Sequence, residues 1–140
     1  MPFWVYFLLV GDPKRGLNRK IYTGYTKHLM ARLIQHCGLT STKGARITRK
    51  QQIELVYLEK FESQKKAMQR EYQLKHESPY NQKKYKIMLI KEFEPTHEQI
   101  FKIFKEINNL FAEQFKFLSN WTKRLEDIEK RIRKDFEPIN

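Results

Sequence analysis

The chain has 140 residues, a single cysteine and a formal net charge of +12, a length that suits one domain with a small appendage and a core that needs no disulfides. Cys37 has no partner for an internal bridge, no Cys/His cluster has zinc spacing, and the N-terminal run FWVYFLLV lacks a basic leader and is too short to cross a bilayer. Together these features predict a reducing, cytoplasmic setting with no membrane partner.

The charge is one-sided. Residues 1–93 carry 19 Lys and Arg against 7 Asp and Glu, whereas residues 94–140 carry 9 against 9. A polyanionic partner accounts for such an excess, because neutralised phosphates release counterions. A solubilising surface is the alternative.

Residues 3–10 are continuously apolar and predict a central strand buried on both faces. The segment GDPKRGLNRK is turn material with four basic residues, and residues 20–25 then complete a hairpin. Thr26 is placed to cap a helix from Lys27 to Cys37, with Gly38 as its stop. A polar and basic connection, GLTSTKGARITRKQQ, leads to a third strand at residues 53–61. Ser63 opens a second helix to about His76, and Ser78 with Pro79 predicts a third running to Lys91. Strands and helices mixed in this way make the fold class α+β.

Pro95 marks the boundary between a domain at 1–93 and a helical extension at 94–140. In the extension Phe104, Ile107, Phe111, Gln114, Leu118, Trp121, Leu125, Ile128 and Ile132 are spaced alternately by three and four, a heptad seam. Extra apolar residues widen its first half, which predicts docking on the domain. The narrower second half predicts a coiled-coil contact, in a homodimer or with a partner protein, through residues 96–136. Ser119 and Asn120 are the expected break.

The informative residues are polar ones on apolar faces. On the second helix Ala67, Met68 and Leu74 form the inward stripe, and Glu71 falls among them. A carboxylate there is either salt-bridged to an arginine from another element or a ligand for a hard divalent cation, and the spacing weighs these equally. Arg32 and His36, four apart, share one side of the first helix at the core margin. Tyr6 and Tyr22 stand in the two strands of the hairpin, where tyrosines are common.

The set WVY at 4–6, YTG at 22–24, Arg32, His36 and Glu71 resembles the GIY-YIG nuclease family. KGARITR at 43–49 resembles the basic loop of its small stand-alone members, which are similar to the catalytic domain of the Slx-type structure-specific endonuclease. The resemblance covers roughly residues 3–91 and implies a three-stranded antiparallel sheet packed by helices. The first motif keeps its tyrosine but not its glycine, Thr23 stands where the second has isoleucine, and the loop joining the two strands is longer than usual. Asn81 is the nearest match to an asparagine that some members carry after the glutamate helix.

What the resemblance implies is metal-dependent hydrolysis of a DNA phosphodiester in repair or recombination, on branched or nicked DNA. Tyr6 would take the proton of the attacking water, with Tyr22 and His36 assisting. Arg32 would stabilise the phosphate, and Glu71 would hold one Mg²⁺ or Mn²⁺. Gly24 would turn the chain into the helix, while Lys43, Arg46, Arg49 and Lys50 would clamp the nucleic-acid backbone. The rival reading is a nucleic-acid-binding or assembly module without activity.

Overall fold

The structure, a computed structural model, describes residues 2–36, 52–112, 118–136 and 138. Three strands, β1 (Phe3–Val10), β2 (Lys20–Thr26) and β3 (Ile53–Phe61), form one antiparallel sheet in the order β2-β1-β3. The α+β class and the antiparallel sheet are as expected. β1 lies in the middle because its side chains are apolar to both faces, and every residue from Trp4 to Val10 is buried. Helix α1 (Leu29–His36) begins the crossover from β2 to β3. Helices α2 (Gln64–His76), α3 (Lys83–Thr96), α4 (Glu98–Ala112) and α5 (Leu118–Asp135) follow β3.

The loop after β1 is held rather than splayed. Asp12 accepts a hydrogen bond from the Lys14 amide at 3.0 Å and starts a 3-10 turn over Pro13–Asn18. Arg19, one of the four basic residues there, is buried. It donates to the Gly16 carbonyl at 2.7 Å and to Glu54 of β3 at 2.7 Å. That arginine is occupied by the fold, while Lys14, Arg15 and Lys20 stay exposed.

Ser63 caps α2 as expected, accepting from the Lys66 amide. The third helix starts later than Pro79. Amide bonds from Asn81 to the Glu77 carbonyl (2.9 Å) and from Gln82 to the Pro79 carbonyl (3.1 Å) hold residues 77–82 in turns, so α3 begins at Lys83. It also runs past Pro95, ending where the His97 amide reaches the Phe93 carbonyl at 2.8 Å. A proline in the last turn sacrifices one backbone bond without blocking the residues before it.

The extension is two helices rather than one. Ser119 and Asn120, the expected break, instead belong to the first turn of α5. The wider first half does dock: Ile100, Phe104 and Ile107 of α4 are buried in the same cluster as the strands. Asn108 closes the edge of β3, accepting from the Leu55 amide at 2.8 Å and donating to the Leu55 carbonyl at 3.0 Å. Such pairing satisfies backbone groups that an edge strand otherwise leaves open.

The second half was expected to await a partner helix, and its described apolar residues are instead used within the chain. α5 folds back on α4, with Arg131 paired to Glu106 and with Ile128, Ile132 and Phe136 buried. Lys60 of β3 donates to the carbonyls of Arg133 (2.9 Å) and Phe136 (3.0 Å), an ammonium at the negative end of the helix.

One more correction concerns α2. Ala67 and Leu74 are fully buried, but Met68 is 51% exposed. Arg70 takes the inward place instead because Glu59, a buried carboxylate on β3, requires it: the guanidinium donates to Oε1 at 2.9 Å and to Oε2 at 3.0 Å. Tyr57 donates its hydroxyl to the same carboxylate. The bridge from an arginine to a buried carboxylate therefore exists, one residue away from Glu71.

Candidate functional site

Register places the hairpin tyrosines. Tyr6 pairs with Gly24 and Leu8 with Tyr22 across β1 and β2, so Tyr6, Tyr22 and Gly24 share one sheet face. The two rings meet diagonally, with centroids 6.3 Å apart.

Gly24 does not turn the chain. It sits inside β2, two residues before the strand ends, with an ordinary negative-side backbone. Its role is space. A Cβ at this position would stand 2.4 Å from both Cζ and Oη of Tyr6, so only a residue without a side chain lets the phenol lie across β2. The turn into α1 falls later, where Thr26 accepts a hydrogen bond from the His28 amide at 3.0 Å.

α1 packs over this face through Leu29 and Leu33, both fully buried. Its 3.6-residue period then carries Arg32 and His36 to the phenols. His36 is fully buried rather than marginal, with Nε2 at 2.7 Å from the Tyr6 hydroxyl. Its ring also meets Tyr22 edge-on at 4.7 Å between centroids. Burial first, and the Arg32 charge second, lower the His36 pKa to about 4. The imidazole is therefore neutral at neutral pH and can accept the phenol proton in a hydrogen bond.

Arg32 interacts electrostatically with both phenols and donates to Gln35 at 3.0 Å. Burial alone would lower its pKa, but the two tyrosines outweigh that and raise it. Tyr6 is pushed well above the usual phenol range, chiefly by burial and then by Tyr22. Arg32 pulls it part of the way back, and the Glu71 charge adds a further push upward.

Glu71 thus lies within electrostatic reach of Tyr6 although it comes from α2. Among the described residues its ion-pair partner is Lys75 of the same helix, at 3.6 Å, not an arginine of another element. Lys75 in turn stands over the Tyr22 ring, 5.9 Å from its centroid. The spacing of four from Glu71 was the available sequence signal for this lysine, and reading Glu71 only against other elements passed over it.

The five residues Tyr6, Tyr22, Arg32, His36 and Glu71 are brought to one place. Lys43, Arg46, Arg49 and Lys50 lie outside the described residues. Asn81 belongs to the turns before α3. Exposed Lys20 lies two residues from Tyr22 on the same face of β2, and exposed Lys27 follows the strand.

Among the described residues no group of three or more His, Cys, Asp or Glu could hold a metal ion. The donor set still fits a hard cation of the Mg²⁺ type, which binds through one or two carboxylates and otherwise keeps water and substrate oxygens. Glu71 is partly exposed, and its contact with the Lys75 ammonium is loose enough to leave carboxylate lone pairs available. Among the described residues no helix is long and apolar enough to cross a membrane.

The GIY-YIG catalytic domain model matches residues 2–86. A UPF0213 protein of Pediococcus acidilactici is 34% identical over 83 residues, covering 59% of this chain and 79% of that protein. A UPF0213 protein of Staphylococcus haemolyticus is 41% identical over 59 residues (41% of this chain, 68% of the relative). One from the archaeon Natronomonas pharaonis is 37% identical over 73 residues, or 51% and 75% of the two chains. No solved structure matches.

Proposed function

The chain belongs to the GIY-YIG catalytic domain family, and from that premise we propose that it is a metal-dependent endonuclease hydrolysing DNA phosphodiester bonds, on branched or nicked substrates in repair or recombination. The observation that carries this reading is the convergence of Tyr6, Tyr22, Arg32, His36 and Glu71 on the hairpin from four separate elements. A buried phenol, a neutral imidazole and a guanidinium together form a proton-handling and phosphate-binding set.

In this reading Glu71 would hold one Mg²⁺ or Mn²⁺, which would supply charge neutralisation of the phosphate and a more acidic nucleophile. Tyr6 accepts the proton of the attacking water, a role its raised pKa permits only when cationic charge stands close. Arg32 supplies part of that charge and donates to the phosphate oxygens. At rest His36 accepts from the Tyr6 hydroxyl; once that proton has left to solvent, the imidazole tautomer protonated at Nε2 donates to the phenolate that takes the water's proton, and Tyr22 holds Arg32 in place. Lys20, Lys27 and the basic segment around Lys43, Arg46, Arg49 and Lys50 meet the flanking backbone phosphates.

The test is Glu71→Gln, assayed with Mg²⁺ or Mn²⁺ on linear, flap and four-way DNAs. Loss of one electrostatic group of this kind costs ~10²–10³ in rate, so cleavage should fall by at least that much while DNA affinity holds. A variant that cuts at the wild-type rate would sink the mechanism.

A further inference from the structure

Two large apolar side chains stand out on α2. Met68 is 51% exposed and Tyr72 is 60% exposed, and the helix places them one turn apart. Met68 lies three residues before Glu71, and Tyr72 lies three before Lys75. All four therefore form one contiguous patch on the flank of the helix that borders the candidate site. His76 extends it, with its ring 4.7 Å from that of Tyr72.

The surroundings suit a nucleic acid. Lys65, Lys66 and Lys75 are exposed on this helix, and Gln69 beside Met68 and Tyr72 is exposed too. Aromatic faces set among cations and amides favour stacked bases over an apolar protein partner, since every base has a π-face and every step carries a phosphate. Residues three and four apart are neighbours on a helix, so a base on Tyr72 would belong to a nucleotide near the phosphate whose cation Glu71 would hold.

We propose that Met68, Tyr72 and His76 form a stacking shelf for an unpaired base beside the scissile phosphate, which makes the substrate a DNA with an unpaired nucleotide at the cut. This rests on the nuclease reading above. The base leaves its own stack and gains the Tyr72 face, whereas a fully paired strand has no base to offer.

The experiment uses the full chain carrying Glu71→Gln, so that DNA binds without being cut. Its probes are a duplex with one unpaired nucleotide, replaced by fluorescent 2-aminopurine, and the same duplex fully paired. Stacking on Tyr72 quenches the probe. Tyr72→Ala should abolish the quench and weaken binding of the unpaired DNA by about ten- to a hundredfold, with little change for the paired duplex. Tyr72→Phe, which keeps the ring, should retain both signals. Equal losses on the two DNAs, or no loss on either, would overturn the shelf; the second result is what a docking face for a protein would give. Failure of the nuclease reading is separately visible, as undiminished cleavage by Glu71→Gln or as no DNA binding by the wild-type chain.

Discussion

Replacing Gly24 by Ala tests the packing that aims Tyr6. The added Cβ would lie 2.4 Å from Cζ and Oη of Tyr6 and 2.9 Å from Cε2, against an ordinary contact of at least 3.4 Å. The ring must therefore retreat by about 1 Å. Tyr6 is fully buried and its hydroxyl is tied to His36 at 2.7 Å, so it has no free direction. Overpacking of this kind costs ~1–3 kcal/mol, whereas a strain-free Gly→Ala change gains ~0.4–1 kcal/mol from the unfolded state. The sign alone is diagnostic. Urea unfolding should show a loss of stability, and under the proposed mechanism cleavage should fall by roughly 10² because the proposed base has moved by about an ångström. A double-mutant cycle with Tyr6→Leu, which lacks all three clashing atoms, should erase most of the Gly24→Ala penalty. If Gly24→Ala is as stable as wild type, or costs as much beside Leu as beside Tyr, the spacing argument is refuted.

His36 gives a pH prediction: its folded pKa of about 4 lies below the ordinary 6.5, so the unfolded chain takes up the proton first. Its contribution is present above pH 6.5 and is lost as pH falls toward 4; wild-type stability should converge on that of His36→Gln over this window, and parallel curves would contradict the assignment. Arg70 and Glu71 should separate cleanly. Arg70→Met strands the buried Glu59 carboxylate and should cost ~3–5 kcal/mol in thermal or urea unfolding, while Glu71→Gln stays within ~0.5 kcal/mol of wild type. Comparable losses from the two variants would mean that Glu71 is part of the folding framework.

Where sequence reading succeeded, the cause was local. β1 was legible to the residue as an apolar run and β3 as a stretch rich in aliphatic and aromatic residues, each closed by turn or polar residues, and α2 announced itself through the Ser63 cap. The failures had causes elsewhere in the chain. A heptad seam reads the same whether its partner helix is another molecule or α4, and what returns α5 to its own domain includes Lys60, a β3 residue with no mark in the periodicity. Gly24 looked like a turn glycine because the reason for it is Tyr6, on the neighbouring strand. On α2 the pattern marked a polar intrusion in the inward stripe, and two adjacent residues could have filled it. Arg70 did so because Glu59 and Tyr57 wait beneath it, which leaves Met68 exposed and Glu71 partly exposed within electrostatic reach of Tyr6. The ion pair that holds the helix down is thus what frees the next carboxylate for the site and exposes the shelf beside it. Stability and chemistry are divided between neighbours in sequence by a carboxylate on β3.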